Sequence, residues 1–322
     1  MAFIETVLGK VDPASIGKTD AHDHLIRKGG VEVITNGSDF DMPDENKALE
    51  ELELFQRVGG NTLVEMTPIG SGRNIESLRQ ISAKSGVNII ATTGFHKSEF
   101  YDKSHFLWKY DTEQLVELLV ADVCDGIDIY DYAGPIVKRS EGRAGVIKAA
   151  CSLQSITTVE KKELRAAAIA SNKTGAPVSL HLEKGTMALE AIDILLENGA
   201  KPGNIILGHI DRNPDYYYHE QIAKRGVFLI YDGAARVKYY TDEVIAHLIE
   251  HMVEAGFEDQ LLMGADLGGK SYFRSYEGGP GLGYNLGIFT PRLLSSGISQ
   301  QTVDKMLIHN ARRAFANKKA GA

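Results

Sequence analysis

Cysteine is scarce in this chain: Cys124 and Cys151 are the only two in 322 residues. Two thiols build neither a disulfide framework nor a four-cysteine zinc site, and they fit a reducing compartment. Basic charge is in deficit as well, with 35 Lys+Arg against 43 Asp+Glu and a net charge of −8. Binding along a phosphate backbone needs the opposite balance, so nucleic acid is set aside as a partner. No apolar run approaches the roughly 20 residues that a bilayer-spanning helix requires, so no membrane partner is expected. Met1 to Lys10 has no basic stretch followed by an apolar core, so no secretory leader is expected either. The expectation is a soluble cytoplasmic protein. Low-complexity linkers and repeats of fixed sequence period are also lacking. The chain therefore reads as one domain, 1–322, with 43% hydrophobic residues to fill its core.

A structural unit does recur: a short β-branched run, a loop, then an amphipathic stretch. The runs are Lys18–His24, Thr62–Met66, Asn88–Thr93, Gly145–Ala149, Pro177–His181, Asn204–His209, Val227–Tyr231 and Gln260–Asp266. Several are nearly all apolar, as strands buried on both faces must be. Between them the spacing predicts helices over Asp44–Val58, Ile75–Ser85, Thr112–Asp125, Val159–Thr174, Met187–Asn198, Asp215–Lys224 and Asp242–Ala255. Glycines at 59, 86, 175, 199, 226 and 256 stand where such helices end. Eight strands alternating with helices predict an α/β fold, a (β/α)8 TIM barrel with its active site at the C-terminal ends of the strands. The competing doubly wound sheet would bring a Gly-rich phosphate turn after its first strand, which is absent.

The residues at those strand ends carry the chemistry. His22 and His24 are two apart on the first run, so a strand aims both imidazoles at one side, close enough to grip one metal ion. His181 and His209 close two later apolar runs, and imidazole is a common ligand for zinc and similar ions. Lys148 ends another run. Burial there disfavours its ammonium form, and a neutral amine can react with carbon dioxide to give an anionic carbamate. The alternative is a lysine whose stem lies on the barrel wall while its head reaches solvent. Asp266 ends the last run and is read as a metal ligand and proton acceptor, against the plainer reading of a helix cap. His105, His219, His247, His251 and His309 lie in helical or loop contexts and are read as ordinary.

This pattern (His-x-His on strand one, Lys on four, His on five, His on six, Asp on eight) resembles the amidohydrolase superfamily, and within it the phosphotriesterase family with its lactonase members. The likeness extends to Gly208-His209-Ile210-Asp211, to Thr93-Gly94 and to the ending Asn310-Ala311-Arg312-Arg313-Ala314-Phe315. The resemblance implies a binuclear centre. His22, His24 and Asp266 would hold the buried metal and His181 and His209 the exposed one. Carboxylated Lys148 and a hydroxide would bridge them. Zinc is the first expectation for both divalent ions, with manganese, cobalt or iron able to serve. The implied reaction is attack of metal-activated water on an ester-like bond. A small-molecule substrate follows, and a homodimer is expected because closed two-fold assemblies are the commonest.

Cations are frequent in the loops after the strands: Lys97, Lys184, Arg212, Arg236, Lys238, Lys270 and Arg274. Together they point to an anionic substrate. Lys238, Arg274 and Tyr276 follow the last two strands, where many such barrels bind phosphate, and are the expected substrate-binding residues. This looks like the branch that opens phosphorylated sugar lactones, with Glu277–Gly283 as a lid. Two departures from the family stand out. His96 stands where its lactonases often carry Tyr, either beside the exposed metal or as a structural histidine. Gly233 stands where relatives carry a larger basic residue, which counts against efficient phosphotriester hydrolysis; the alternative reading is a phosphotriester, organophosphate or carboxyl-ester hydrolase with the same metal centre. A non-catalytic barrel would be expected to have lost ligands, and none is missing.

Overall fold

The computed structural model describes residues 2–317. Eight strands form the centre: β1 (Lys18–Asp23), β2 (Gly60–Glu65), β3 (Asn88–Gly94), β4 (Ala144–Cys151), β5 (Val178–Leu182), β6 (Ile205–Gly208), β7 (Phe228–Tyr231) and β8 (Leu261–Met263). Each pairs in parallel with the next in sequence order. The seam between β8 and β1 is closed differently. The amides of Ala265 and Asp266 donate to the His22 carbonyl at 3.1 and 2.8 Å. Carboxylate oxygens of Asp20 and Asp23 accept from the amides of Ala265 and Leu267 at 3.2 and 3.0 Å. Side chains thus complete a ladder that the short last strand leaves unfinished. The result is the expected (β/α)8 barrel.

Seven crossover helices surround it: α1 (Glu45–Arg57), α2 (Ile75–Ser85), α3 (Thr112–Cys124), α4 (Thr158–Thr174), α5 (Ala188–Glu197), α6 (Tyr216–Ala223) and α7 (Asp242–Glu254). All seven fall within a residue of the sequence expectation at each end, because their caps are written locally. Asp44, Asn74 and Asp215 accept hydrogen bonds from first-turn amides. Asp111 with Gln114, and Thr157 with Glu160, form reciprocal capping boxes. Shorter helical pieces, Thr290–Ser295, Gln300–Asp304 and Asn310–Ala314, follow β8. Among the described residues no helix is long and apolar enough to cross a membrane.

Two apolar layers result. One lies between strands and helices. The other fills the barrel interior with Val64, Met66, Ile90, Val146, Ile206, Ile230 and Leu262, and Ile4 and Phe315 join it. This packed interior makes the barrel a solid pedestal, so polar groups find space only at one end. Strand alternation carries the rule upward: Val146 is in the inner core, so Lys148, two residues on, points the same way at the rim.

Four strands stop earlier than predicted. β1 ends at Asp23, β2 at Glu65, β6 at Gly208 and β8 at Met263, one, one, one and three residues before the expected ends. His209 and Asp266 then take left-handed backbone angles, φ 63° and 49°. Such angles cost a non-glycine residue about 1–3 kcal/mol and persist where the surroundings impose them. Here they swing the two side chains out of the ladder and over the barrel mouth.

Candidate metal centre and cavity

Neighbouring strands bring the distant histidines together. His22 stands on β1 and His24 just after it, His181 stands on β5, and His209 follows β6. All four are buried. The Nε2 atoms of His22 and His24 each lie 3.6 Å from Asp266 Oδ1. His209 Nε2 lies 2.8 Å from His181 Nδ1.

Each imidazole is held from behind by its other nitrogen. Asp232 is within 3.1 Å of His22 Nδ1 and 2.9 Å of His209 Nδ1. His24 Nδ1 meets Thr67 Oγ1 at 2.9 Å, and that hydroxyl donates to Glu65 at 2.5 Å. His181 Nε2 meets Glu183 Oε2 at 3.1 Å. Such outer partners fix the tautomer: the proton sits on the outer nitrogen and the inner lone pair points into the site. Burial holds three of the rings neutral, pushing His24 and His209 well below the usual histidine range and His181 down to about 4. The structure therefore aims neutral lone pairs at one another. Both ring nitrogens of His22 are buried outside hydrogen-bond geometry, Nδ1 with the Asp232 carboxylate 3.1 Å away. His181 Nδ1 and His209 Nε2 face each other as two acceptors. Lone pairs at that distance repel unless a positive charge sits with them, so the residues present fit a cation. Two triads, His22–His24–Asp266 and His22–His209–Asp232, have donor atoms within 4.8 Å of one another. The outer role of Asp232 on both its histidines makes it the orienting group of the second triad.

Lys148 completes the floor. It is buried, and burial brings its ammonium down to about 8, against the pull of Glu32, Asp266 and Glu65. Its Nζ donates to the Met66 carbonyl at 2.8 Å. Gly94, beside it on β3, has φ 98°, and a Cβ there would lie 1.9 Å from the Lys148 carbonyl oxygen. Only glycine lets β3 approach this close.

Asp266 has two faces. Its Oδ1 addresses the β1 histidines. Its Oδ2 accepts from Arg212 and Arg236, and Arg236 also donates to its backbone carbonyl. Burial opposes ionisation, but Arg236 and Arg212 hold the carboxyl well below the usual range. Asp266 is thus held as an anion here.

Above these residues opens a cavity of about 150 Å³. His96 lines it, its ring 4.4 Å from that of His181 and its Nδ1 accepting from the Lys97 amide at 2.6 Å. Lys238 lines it too, exposed at the rim beside Tyr239. Arg274 and Tyr276 do not. Arg274 donates to the Pro280 carbonyl at 2.8 Å and lines a separate surface depression with Leu54 and Val58. Tyr276 packs under Lys47, whose Nζ is 4.9 Å from its ring. The turns after β8 fold both residues back onto α1. The expected lid 277–283 follows them: Leu282 is buried, and its amide donates to Glu51 of α1 at 3.2 Å. Arg212 and Arg236, expected only as loop charges, are buried cations of the cavity, as are Arg27 and Lys97. Asp232 was missed altogether, although it follows the apolar run Phe228–Tyr231 as the other site residues follow theirs. Gly233 has its own local reason. Its amide donates to Asp211 at 2.7 Å, and a Cβ would press within 2.6 Å of that carboxylate.

Known proteins share this fold and much of this sequence. The chain resembles a phospho-furanose lactonase of Mycoplasmopsis agalactiae, with 42% identity over 98% of this chain and 91% of the relative. A second phospho-furanose lactonase, from Mycoplasmopsis synoviae, is 39% identical over 98% and 92%. The crystal structure of a lactonase from Listeria monocytogenes superimposes with a TM-score of 0.92 at 32% identity, covering 98% of this chain and 100% of that one. The model of the phosphotriesterase family matches residues 2–315, and the chain belongs to that family.

Proposed function

We propose that this protein is a metal-dependent lactonase that opens the ring of an anionic, phosphorylated sugar lactone. Its place among ester-hydrolysing enzymes of the family supports the reaction class. The observation that carries the metal dependence is the convergence of neutral, outward-anchored imidazoles on Asp266 and Lys148. In this reading His22, His24 and Asp266 hold one divalent ion, His181 and His209 a second, and carboxylated Lys148 joins them. With a lysine pKa of about 8, roughly a tenth of the amine is neutral at pH 7 and open to carbon dioxide. Two divalent ions, zinc first, would supply a Lewis acid for the carbonyl and a strongly acidified water.

The chain's own residues do the rest. Asp232 and Glu183 keep the rings turned inward. Asp266 stays ionised under its two arginines. His96, neutral through burial, stands at the cavity wall to meet the ring opening. A lactone keeps its leaving oxygen attached, so a cavity of about 150 Å³ needs no second pocket for a departing group.

The test is acid release from a panel of γ- and δ-sugar lactones, each with and without a terminal phosphate, plus one aryl phosphotriester. Preference for the phosphorylated lactones is expected. Turnover of the triester alone would replace the reading with phosphotriester hydrolysis.

A further inference from the structure

We infer that Glu32 and His96 form a pair that reads a substrate hydroxyl, selecting lactones with a free hydroxyl on the carbon next to the carbonyl. This rests on the lactonase reading above and deepens it. It separates sugar lactones from lactones whose carbon at that position is bare.

Two loops supply the pair. Glu32 stands on the short helix Val31–Asn36 after β1, and His96 follows β3. Each is 6% exposed, and both line the cavity. His96 Nδ1 accepts from the Lys97 amide, so the proton of the neutral ring sits on Nε2 and makes it a donor. That Nε2 lies 4.0 Å from Glu32 Oε1. The gap is too long for a hydrogen bond between the two. One oxygen at ~2.8 Å from each would bridge them with an angle of about 90° at that oxygen, which an alcohol accommodates. Such an oxygen must accept from the imidazole and donate to the carboxylate, and a hydroxyl does both. An ether or carbonyl oxygen cannot donate.

The rest of each residue is already engaged. Glu32 Oε2 lies 3.1 Å from Nη2 of Arg27, an arginine with no exposed surface, which anchors the carboxylate and leaves Oε1 turned toward His96. The Lys28 and Val31 amides donate to the Gly72 and Gly70 carbonyls, each at 2.9 Å, and so fix the loop that carries Glu32. On the other side the His96 amide donates to the Tyr101 hydroxyl at 2.9 Å, and its ring packs 4.5 Å from that of Phe100. A pair held this way cannot close up on itself when the hydroxyl is missing, so the analogue lacking it leaves both groups unpaired. Place decides which hydroxyl is read. The His96 ring is 4.4 Å from that of His181, beside the centre where the carbonyl is attacked, so the hydroxyl is the one adjacent to that carbonyl.

The plainer role for Glu32 is to neutralise Arg27, and for His96 to pack the wall. E32M, E32Q and H96N are prepared with zinc and bicarbonate alongside wild type. H96N keeps an acceptor for the Lys97 amide and withdraws the Nε2 donor. For each protein, kcat/KM is measured on a phosphorylated furanolactone and on its 2-deoxy counterpart, with metal content in parallel. Wild type should prefer the hydroxylated substrate by about a hundredfold, as a charge-assisted hydrogen bond allows. In E32M and H96N the preference should fall below tenfold, with the 2-deoxy substrate turned over about as well as by wild type and metal content unchanged. E32Q retains an acceptor oxygen and should keep an intermediate preference. Equal losses on both substrates would overturn the pair and leave the plainer roles, as would a wild type that does not discriminate. Should E32M fail to fold because Arg27 is left unpaired, the wild-type preference and H96N decide. If wild type opens neither lactone, the functional reading fails. Calorimetry with 1,4-anhydroarabinitol 5-phosphate, an uncleavable furanose, and with its 2-deoxy counterpart then decides the pair. A gap of tenfold or more in wild type that closes in H96N upholds it, and equal binding or no binding overturns it.

Discussion

At the residue scale, the site works by controlling which nitrogen of each histidine carries the proton. Asp232 does this for two rings at once, His22 and His209. Asp232→Asn keeps the shape but presents an amide that can turn its NH2 toward one ring and upset the tautomer. Outer partners of this kind are worth about 10–100-fold in metal affinity. The expected outcome is a loss in that range, read by competition against a chromogenic chelator, with the fold retained by circular dichroism. Unchanged affinity would remove Asp232 from the centre. A second residue gives a pH dependence free of the metal site. His105 Nδ1 accepts from the Leu107 amide at 3.2 Å, and burial lowers its pKa from 6.5 to about 4. The folded value lies below the unfolded one, so its contribution is complete above about 6.5 and is lost as pH falls toward about 4. His105→Asn can keep the cap without titrating. The Tm gap between the two proteins should therefore change between pH 7 and pH 4, and parallel curves would contradict this. The residues that meet at the barrel mouth were legible one by one, because His22, His24, Lys148, His181, His209 and Asp266 each stand in or at the end of an apolar run. Asp232, Arg212 and Arg236 were not, since their meaning depends on three loops meeting.

At the scale of elements, boundaries were readable wherever the signal is local. Caps and C-terminal glycines placed the seven helices, and apolar runs placed the strands. What the runs could not tell was where pairing stops. His209 and Asp266 continue their runs in sequence but leave the ladder through left-handed backbone. The loop after β8 misled for a related reason. Its cations and tyrosine look like a phosphate site in sequence, yet bonds such as Arg274 to Pro280 and Leu282 to Glu51 turn it onto α1. The β8–β1 seam offers a test at this scale. Asp23 Oδ1 accepts from the amides of His24 and Leu267 at 2.7 and 3.0 Å, and burial with the neighbouring Asp20 charge pushes its carboxyl well above the usual range. A protonated carboxyl used only as acceptor is mimicked by an amide. Asp23→Asn should cost under about 1 kcal/mol, whereas Asp23→Ala strands two buried amides and should cost roughly 2–4 kcal/mol. Urea denaturation checks both, and equal costs would mean that the seam does not depend on the acceptor.

At the scale of the whole molecule, a packed interior pushes all polar chemistry to one mouth of the barrel. Residues 244 positions apart, His22 and Asp266, meet there because the first and last strands are neighbours. Asp266 stands at the mouth between the histidines, which face its Oδ1, and Arg212 and Arg236, which donate to its Oδ2. The central claim is that the histidine side makes the protein a metal-dependent lactonase. It is tested by stripping the protein of metal, adding zinc in steps under bicarbonate, and following acid release from a phosphorylated furanolactone. Activity absent at the start, rising to a plateau at about two equivalents per chain, is the predicted result. Full activity in the stripped protein, or none after two equivalents, would contradict the account.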